Sequence, residues 1–229
     1  MSDKKQVTDT EKSEVIIGQA KDFWTRNSKL ILGVGVVLLL AVGGYFVYQN
    51  YFRKPKEEKA ADAIMKAELY FRADSFRLAL NGDGQNLGLL RVMDRYSGTS
   101  AANLAAFYAG VCYVKLDDND NAIKYLKKFS TDAKQVQQRA YKLLGDAYGD
   151  KGNGKEALEY YKKAAHHFED DQTRSAEALF LAAYMASTVL KDQKEAVELF
   201  KELKEKFPRT REGSEADKYL AQLGVYNVN

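Results

Sequence analysis

Leu30 to Tyr48 reads LILGVGVVLLLAVGGYFVY, 19 residues without a charge. At about 1.5 Å of helix rise per residue the run is roughly 28 Å long, close to the ~30 Å hydrocarbon core of a bilayer. Lys29 closes one end and Arg53, Lys54 and Lys56 close the other. Tyr45, Tyr48 and Tyr51 cluster at the exit, where amphipathic rings favour the headgroup region. Residues 30–48 are therefore expected to form a single, retained transmembrane helix. Ala41-Val42-Gly43 has the small-residue spacing of a signal-peptide cut, but a charged segment of 29 residues precedes the run and apolar residues continue past that point. No cysteine stands directly after the run, so a lipid-modified N-terminus of the lipoprotein kind is not expected.

The flanks say less. Residues 1–13 have almost no apolar content and are expected to be disordered. Val15, Ile16, Ala20, Phe23, Trp24 and Asn27 recur at helical spacing, with Glu14, Lys21, Asp22 and Arg26 opposite. Residues 14–28 are thus either an interfacial amphipathic helix or a partly ordered tail. Orientation is not decided by charge: Lys21, Arg26 and Lys29 on one side face Arg53, Lys54, Lys56 and Lys59 on the other. A bare count would place the large domain in the cytoplasm, yet long domains translocate largely regardless of charge.

Beyond residue 56 the chain reads as helix. There are two prolines in 229 residues, and Ala, Leu, Lys, Glu and Gln dominate. The 35 basic and 32 acidic residues are mixed, leaving no broad basic face for nucleic acid. Cys112, among Ala109, Val111 and Val114, is expected to pack as a small hydrophobe. Three hairpins stand out: NLAAFYAGVCYVKL-DDND-NAIKYLKKF, RAYKLLGDAYGD-KGNG-KEALEYYKKAAHHF and AEALFLAAYMASTVLK-DQKEAVELFKELKEKFP. Ala122, Ala157 and Ala196 each stand near the start of a second helix, and Gly88 extends the series backward at intervals of 34, 35 and 39 residues. Gly110 and Gly145 lie 12 residues before their alanines, each followed three residues later by Tyr113 or Tyr148. Small residues there let two helices approach closely; Leu126, Tyr161 and Phe200 fill the space four residues after the alanines. Pro208 ends the third hairpin.

These residues resemble the tetratricopeptide repeat family, whose period is about 34 residues. The third hairpin departs from it: Tyr184 stands where the glycine would be, and the preceding HHFEDDQTR adds about four residues. The resemblance implies an all-α fold: an N-terminal transmembrane helix, then a tetratricopeptide-like α-solenoid of about four hairpins over residues 49–229. Arg211 to Leu223 would be its capping helix, which solenoids need for solubility.

Anchor and array together, with Asn27-Ser28-Lys29-Leu30 entering the membrane helix and a tyrosine-rich exit, resemble the YfgM-like family of ancillary subunits of the bacterial Sec translocon. The segment AELYFRADSFRLALNGDGQNLGLLRVMDRYSGTSAANLAAFYAGVCY looks like its form in Bacteroidota. This resemblance implies an inner-membrane protein with residues 1–29 as a short cytoplasmic tail and the repeat domain in the periplasm. It further implies Sec translocon subunits, a membrane-anchored peptidyl-prolyl isomerase-like chaperone and translocating polypeptides as partners.

No catalytic, metal or cofactor site is expected. His166 and His167 are the sole histidines; adjacent helical positions point about 100° apart, so they cannot share a metal. Asn81 to Gly88 is glycine-rich but follows a helix and lacks a Lys-Ser or Lys-Thr ending, which reads as a turn. The surface of interest is the groove along the first helices of the hairpins. Leu104, Phe107, Val111 and Val114 of the first hairpin and Arg139, Lys142 and Asp146 of the second are its candidate lining, unless they are hairpin core. An apolar groove with a basic edge suits extended or partly folded segments. Gly33, Gly35, Gly43 and Gly44 could admit a partner's transmembrane helix, although no strict four-residue spacing is present. The expected function is a non-enzymatic, chaperone-like protein-binding subunit at the translocon. A general envelope scaffold in secretion, outer-membrane assembly or cell division is the alternative.

Overall fold

The computed structural model describes residues 9–226, and every regular element in that range is helical. Of the polar stretch 1–13, the first eight residues lie outside the described range and the remainder begin a helix. The chain divides into two compact units, 1–55 and 56–229.

The first unit is built on α1, Asp9–Tyr48, 40 residues long. No break separates residues 14–28 from the apolar run, and Phe23, Trp24, Leu32, Val37 and Leu39 are all solvent-exposed. Apolar side chains exposed around the whole circumference suit a lipid environment rather than water. Among the described residues this is the one helix long and apolar enough to cross a membrane. A π-helical turn, Gln49–Arg53, follows. Pro55 has no N–H to return to the carbonyl four residues back, which explains a local departure from the α ladder there.

The second unit begins within α2, Lys54–Arg72. Short helices α3, Phe76–Asn81, and α4, Leu89–Arg95, come next. Three hairpins follow: α5, Ser100–Lys115, with α6, Asn119–Leu126; α7, Lys134–Asp150, with α8, Gly154–His167; and α9, Gln172–Tyr184, with α10, Gln193–Lys206. The last helix, α11, Arg211–Gln222, closes the stack against α10 and α9. Each second helix packs on the first helix of the next hairpin, α6 on α7 and α8 on α9, as a helical solenoid requires. Side-chain caps begin several of the helices. Asp118, Asp171 and Asp192 accept from the backbone N–H three residues on, satisfying one of the donors each helix start leaves unpaired.

The repeat phase is written in the burial pattern. Ala122, Ala157 and Ala196 are fully buried, and each is the fourth residue of its helix. Gly88, Leu89 and Val92 are buried at the same spacing as Ala122, Ile123 and Leu126, although α4 lacks the first turn of its counterparts. An antiparallel bridge between Gly82 and Leu87 stands in its place. A side chain on Gly88 would strike the backbone of Leu80 to Gly82, which is why only glycine fits.

The third hairpin differs from the expectation. Six buried positions of α7 (137, 138, 140, 144, 145 and 148) recur at 175, 176, 178, 182 and 183 of α9 and at 186 just beyond it. Ala183 therefore takes the place of Gly145, and Tyr184 turns outward, 48% exposed, stacked on Phe180. Three additional residues precede α9. The fourth sits in a second π-helical turn, Met185–Leu190, which restores the phase before Ala196. A π turn takes one residue more than an α turn, so it absorbs an insertion without lengthening a loop.

Candidate functional site

Two of the four apolar groove candidates are core. Phe107 (6% exposed) and Val111 (3%) belong to the buried cluster running from α5 to α11, and the Phe107 ring lies 5.0 Å from that of Phe129 on the far side of the first hairpin. Leu104 and Val114 are half-buried against the two core clusters. These residues hold helices together and offer a ligand little. A helix whose apolar positions surround it, as in α5, packs on several sides at once, and residue type alone cannot separate its groove side from its core side.

The polar half of the candidate set does converge. Arg139 is exposed, its guanidinium 5.9 Å from the centre of the Phe107 ring. One turn on, Lys142 Nζ bridges Asp146 at 3.1 Å and Glu177 of α9 at 3.5 Å. Tyr161 of α8 donates its hydroxyl to Asp146 Oδ1 at 3.0 Å. Burial pushes the Asp146 carboxyl above its usual range, against the pull of Lys142 and of the Tyr161 hydroxyl. For Lys142 burial works against the charge, but Asp146 and Glu177 outweigh it and hold the ammonium above its ordinary value. The Tyr161 phenol is raised by burial and by the neighbouring Asp146.

Arg139, Lys142 and Glu177 edge a cleft of ≈ 340 Å³ between α7 and α9, with Leu143, Ala164, Arg174 and Ala178, while Asp146 stands behind it as the partner of Lys142. Its floor contains Gln138, 1% exposed. Gln138 Nε2 donates to Ala164 O at 3.1 Å and to Ser175 Oγ at 2.9 Å, while Ser175 Oγ donates to Phe168 O at 3.1 Å. Because the Ser175 proton is committed to Phe168, the amide can present only its NH2 to Ser175, and its orientation is fixed. Gln138, Ser175 and Glu177 went unrecognised from sequence. The available signal was a glutamine in register with the buried stripe of α7.

The two histidines point apart, as adjacent helical positions must. His167 meets Tyr141 edge-on at 5.3 Å, and His166 Nε2 lies 2.8 Å from Glu202 of α10. Ligand atoms of His166, Glu169 and Glu202 lie within 4.8 Å of one another. Lys206 Nζ stands 2.7 Å from Glu169 and 3.1 Å from Glu202, so an ammonium already supplies the positive charge there. The arrangement ties α8 to α10. No helical i+4 spacing reveals a partner 36 residues on, so this pairing was invisible to sequence.

Gly33, Gly35, Gly43 and Gly44 lie on α1 with no other side chain or distant backbone within 4 Å of a Cβ placed there. They are spread over the exposed surface rather than packed on anything. Cys112 is buried, and burial pushes its thiol up to about 12, which leaves it an unreactive core residue.

Comparison with known families gives two matches. The tetratricopeptide repeat-like domain matches residues 21–140, taking in the apolar run as well as α2 to α6, and the tetratricopeptide repeat matches residues 177–210, from α9 to the end of the third hairpin. No curated protein matches the chain.

Proposed function

This chain belongs to the tetratricopeptide repeat-like family, and we propose that it is a membrane-anchored, non-enzymatic protein-binding subunit of the Sec translocon. Domains of this family bind other proteins and are typically non-catalytic scaffolds. Residues 30–48 would span the inner membrane, with residues 1–29 in the cytoplasm and the repeat domain in the periplasm. Sec subunits, a membrane-anchored peptidyl-prolyl isomerase-like chaperone and emerging polypeptides would be its partners. The translocon assignment rests on the likeness to the YfgM-like family.

One observation carries the protein-binding reading: the α7–α9 cleft is walled by exposed or half-exposed Arg139, Lys142, Arg174 and Glu177 above a packed apolar core. Such a cleft combines area to bury with charges that fix orientation. Glu177 and Arg174 replace Phe107 and Val111 in the proposed contact set, because those two are inside. Gly33, Gly35, Gly43 and Gly44 remain the proposed approach points for a partner helix in the membrane.

The test is affinity purification from native membranes in mild detergent, combined with photo-cross-linking from position 139. Recovery of translocon and isomerase-like subunits, with cross-links at 139, is expected. Their absence would remove the translocon assignment. Recovery of a different envelope machine would favour a general scaffold in secretion, outer-membrane assembly or cell division.

A further inference from the structure

Two polar groups of the α7–α9 cleft find no partner within the chain. The first belongs to its floor. Gln138 Nε2 is committed to Ala164 O and to Ser175 Oγ, and Ser175 Oγ gives its own proton to Phe168 O. The amide is thereby fixed, and its Oε1 is a buried acceptor with no donor of the chain beside it. Among the described residues it is the one buried side-chain oxygen or nitrogen in that condition. A bare buried acceptor is costly, so an occupant that brings a donor to it gains more than at an exposed carbonyl.

The second belongs to the rim. Arg139, Lys142 and Arg174 line this one cleft together with a single acid, Glu177. Lys142 is held between Asp146 and Glu177, and Arg174 is paired with Asp171. Arg139 forms no ion pair with the described residues; its guanidinium stands 5.9 Å from the centre of the Phe107 ring. The cleft is thus short of one donor on its floor and one anion on its rim.

An extended acidic peptide carries both. A helix or hairpin has paired its own N–H groups, whereas an extended strand keeps them free and sends its side chains to alternate sides. At ≈ 340 Å³ the cleft is at the small end of ligand sites, which begin near about 300 Å³, and suits a short stretch of chain rather than a folded element. Leu143, Ala164 and Ala178 supply apolar wall for that stretch to cover.

We infer that the α7–α9 cleft receives an extended segment of a partner protein, with a backbone N–H donating to Gln138 Oε1 and a neighbouring Asp or Glu side chain pairing with Arg139. The inference rests on the protein-binding reading of that cleft.

The probes are hexapeptides blocked at both ends, in pools that fix an acidic, amide, basic or apolar residue at each position in turn. Their binding is measured to the full chain in detergent micelles. Pools with a central Asp or Glu bind about tenfold tighter than the matching amide pools, and Arg139→Gln removes that preference. In the best peptide, an ester in place of one amide deletes a single N–H. Next to the acidic residue this weakens binding about fivefold, and elsewhere it does not. Gln138 is left unaltered, so the seam it holds is intact in every measurement. Binding without an acidic preference, a preference that survives Arg139→Gln, or equal loss from every ester overturns the inference. Tighter binding of the same peptides with a free C-terminal carboxylate also overturns it, by assigning the rim to a chain end. If no pool binds while partner proteins are still cross-linked from position 139, the inference fails and the protein-binding reading stands; if neither occurs, both fail.

Discussion

Gly145 lies so close under the Tyr161 ring that a methyl group on the glycine would stand 2.5 Å from Tyr161 Cδ1. Gly110 holds the same relation to Leu126, also at 2.5 Å and at the same sequence separation. The glycine and its partner form the contact at which each of the first two hairpins closes. Replacing Gly145 with alanine should lower stability by about 1–3 kcal/mol through overpacking, more than the ~1 kcal/mol that alanine returns in helix propensity. Urea midpoints in detergent test this, and an unchanged or higher midpoint for Gly145→Ala would show that the contact relaxes freely.

Ser175 joins two partners, accepting from Gln138 and donating to Phe168 O. Ser175→Ala removes an acceptor and a donor at once and is expected to cost about 1–3 kcal/mol. Ser175→Cys, which keeps the volume but bonds weakly, should recover only part of it. Equal midpoints for serine and alanine would mean that the seam between α7 and α9 is held by packing alone.

Glu202 titrates below its usual range: burial raises it, but hydrogen bonds from His166 and Lys206 outweigh that. A carboxylate depressed in the fold contributes stability above its unfolded pKa, and that contribution is lost as pH falls through the folded value. Between about pH 6 and pH 3 the wild type should therefore lose stability faster than Glu202→Gln. Parallel slopes in the two proteins would contradict the pairing.

Leu38 sits at the middle of the apolar run and is exposed. Arginine at the centre of a spanning helix costs about 2.5–3.5 kcal/mol on the insertion scale. Leu38→Arg should shift the chain toward the alkali-extractable fraction of membranes, whereas Leu38→Val should not. Equal extraction of the two variants would argue against a spanning role for α1.

The hairpins were legible because their markers are local. Ala122, Ala157 and Ala196 recur at the fourth position of three successive second helices, and each is fully buried. Period and burial thus coincide in the residue type. The groove was less legible, since α5 buries residues on most of its circumference, and its outward face shows only in contacts with helices far along the chain. Phe107 looks like a groove aromatic in sequence and is a core aromatic in space. The Tyr113–Tyr125 and Tyr148–Tyr160 stacks, 5.3 and 5.5 Å between ring centres, also escaped notice, although the 35-residue period carries one pair onto the other. The shift from Tyr184 to Ala183 was hidden for a different reason. A spacing of 39 residues says that four were added but not where, and a π turn leaves no mark in composition.

That π turn has a consequence for how this array can change over generations. An inserted residue in a hairpin loop would lengthen the loop, and one in a regular helix would rotate every downstream side chain by about 100°. Taken up as a π turn at the end of α9, the same insertion leaves Ala196, Phe200 and Leu203 buried as their counterparts are in the second hairpin. The third hairpin is thus a reading frame that slipped and was corrected within one helical turn. Its visible trace is an outward tyrosine in the last hairpin, at the position that Asp146 holds in the second.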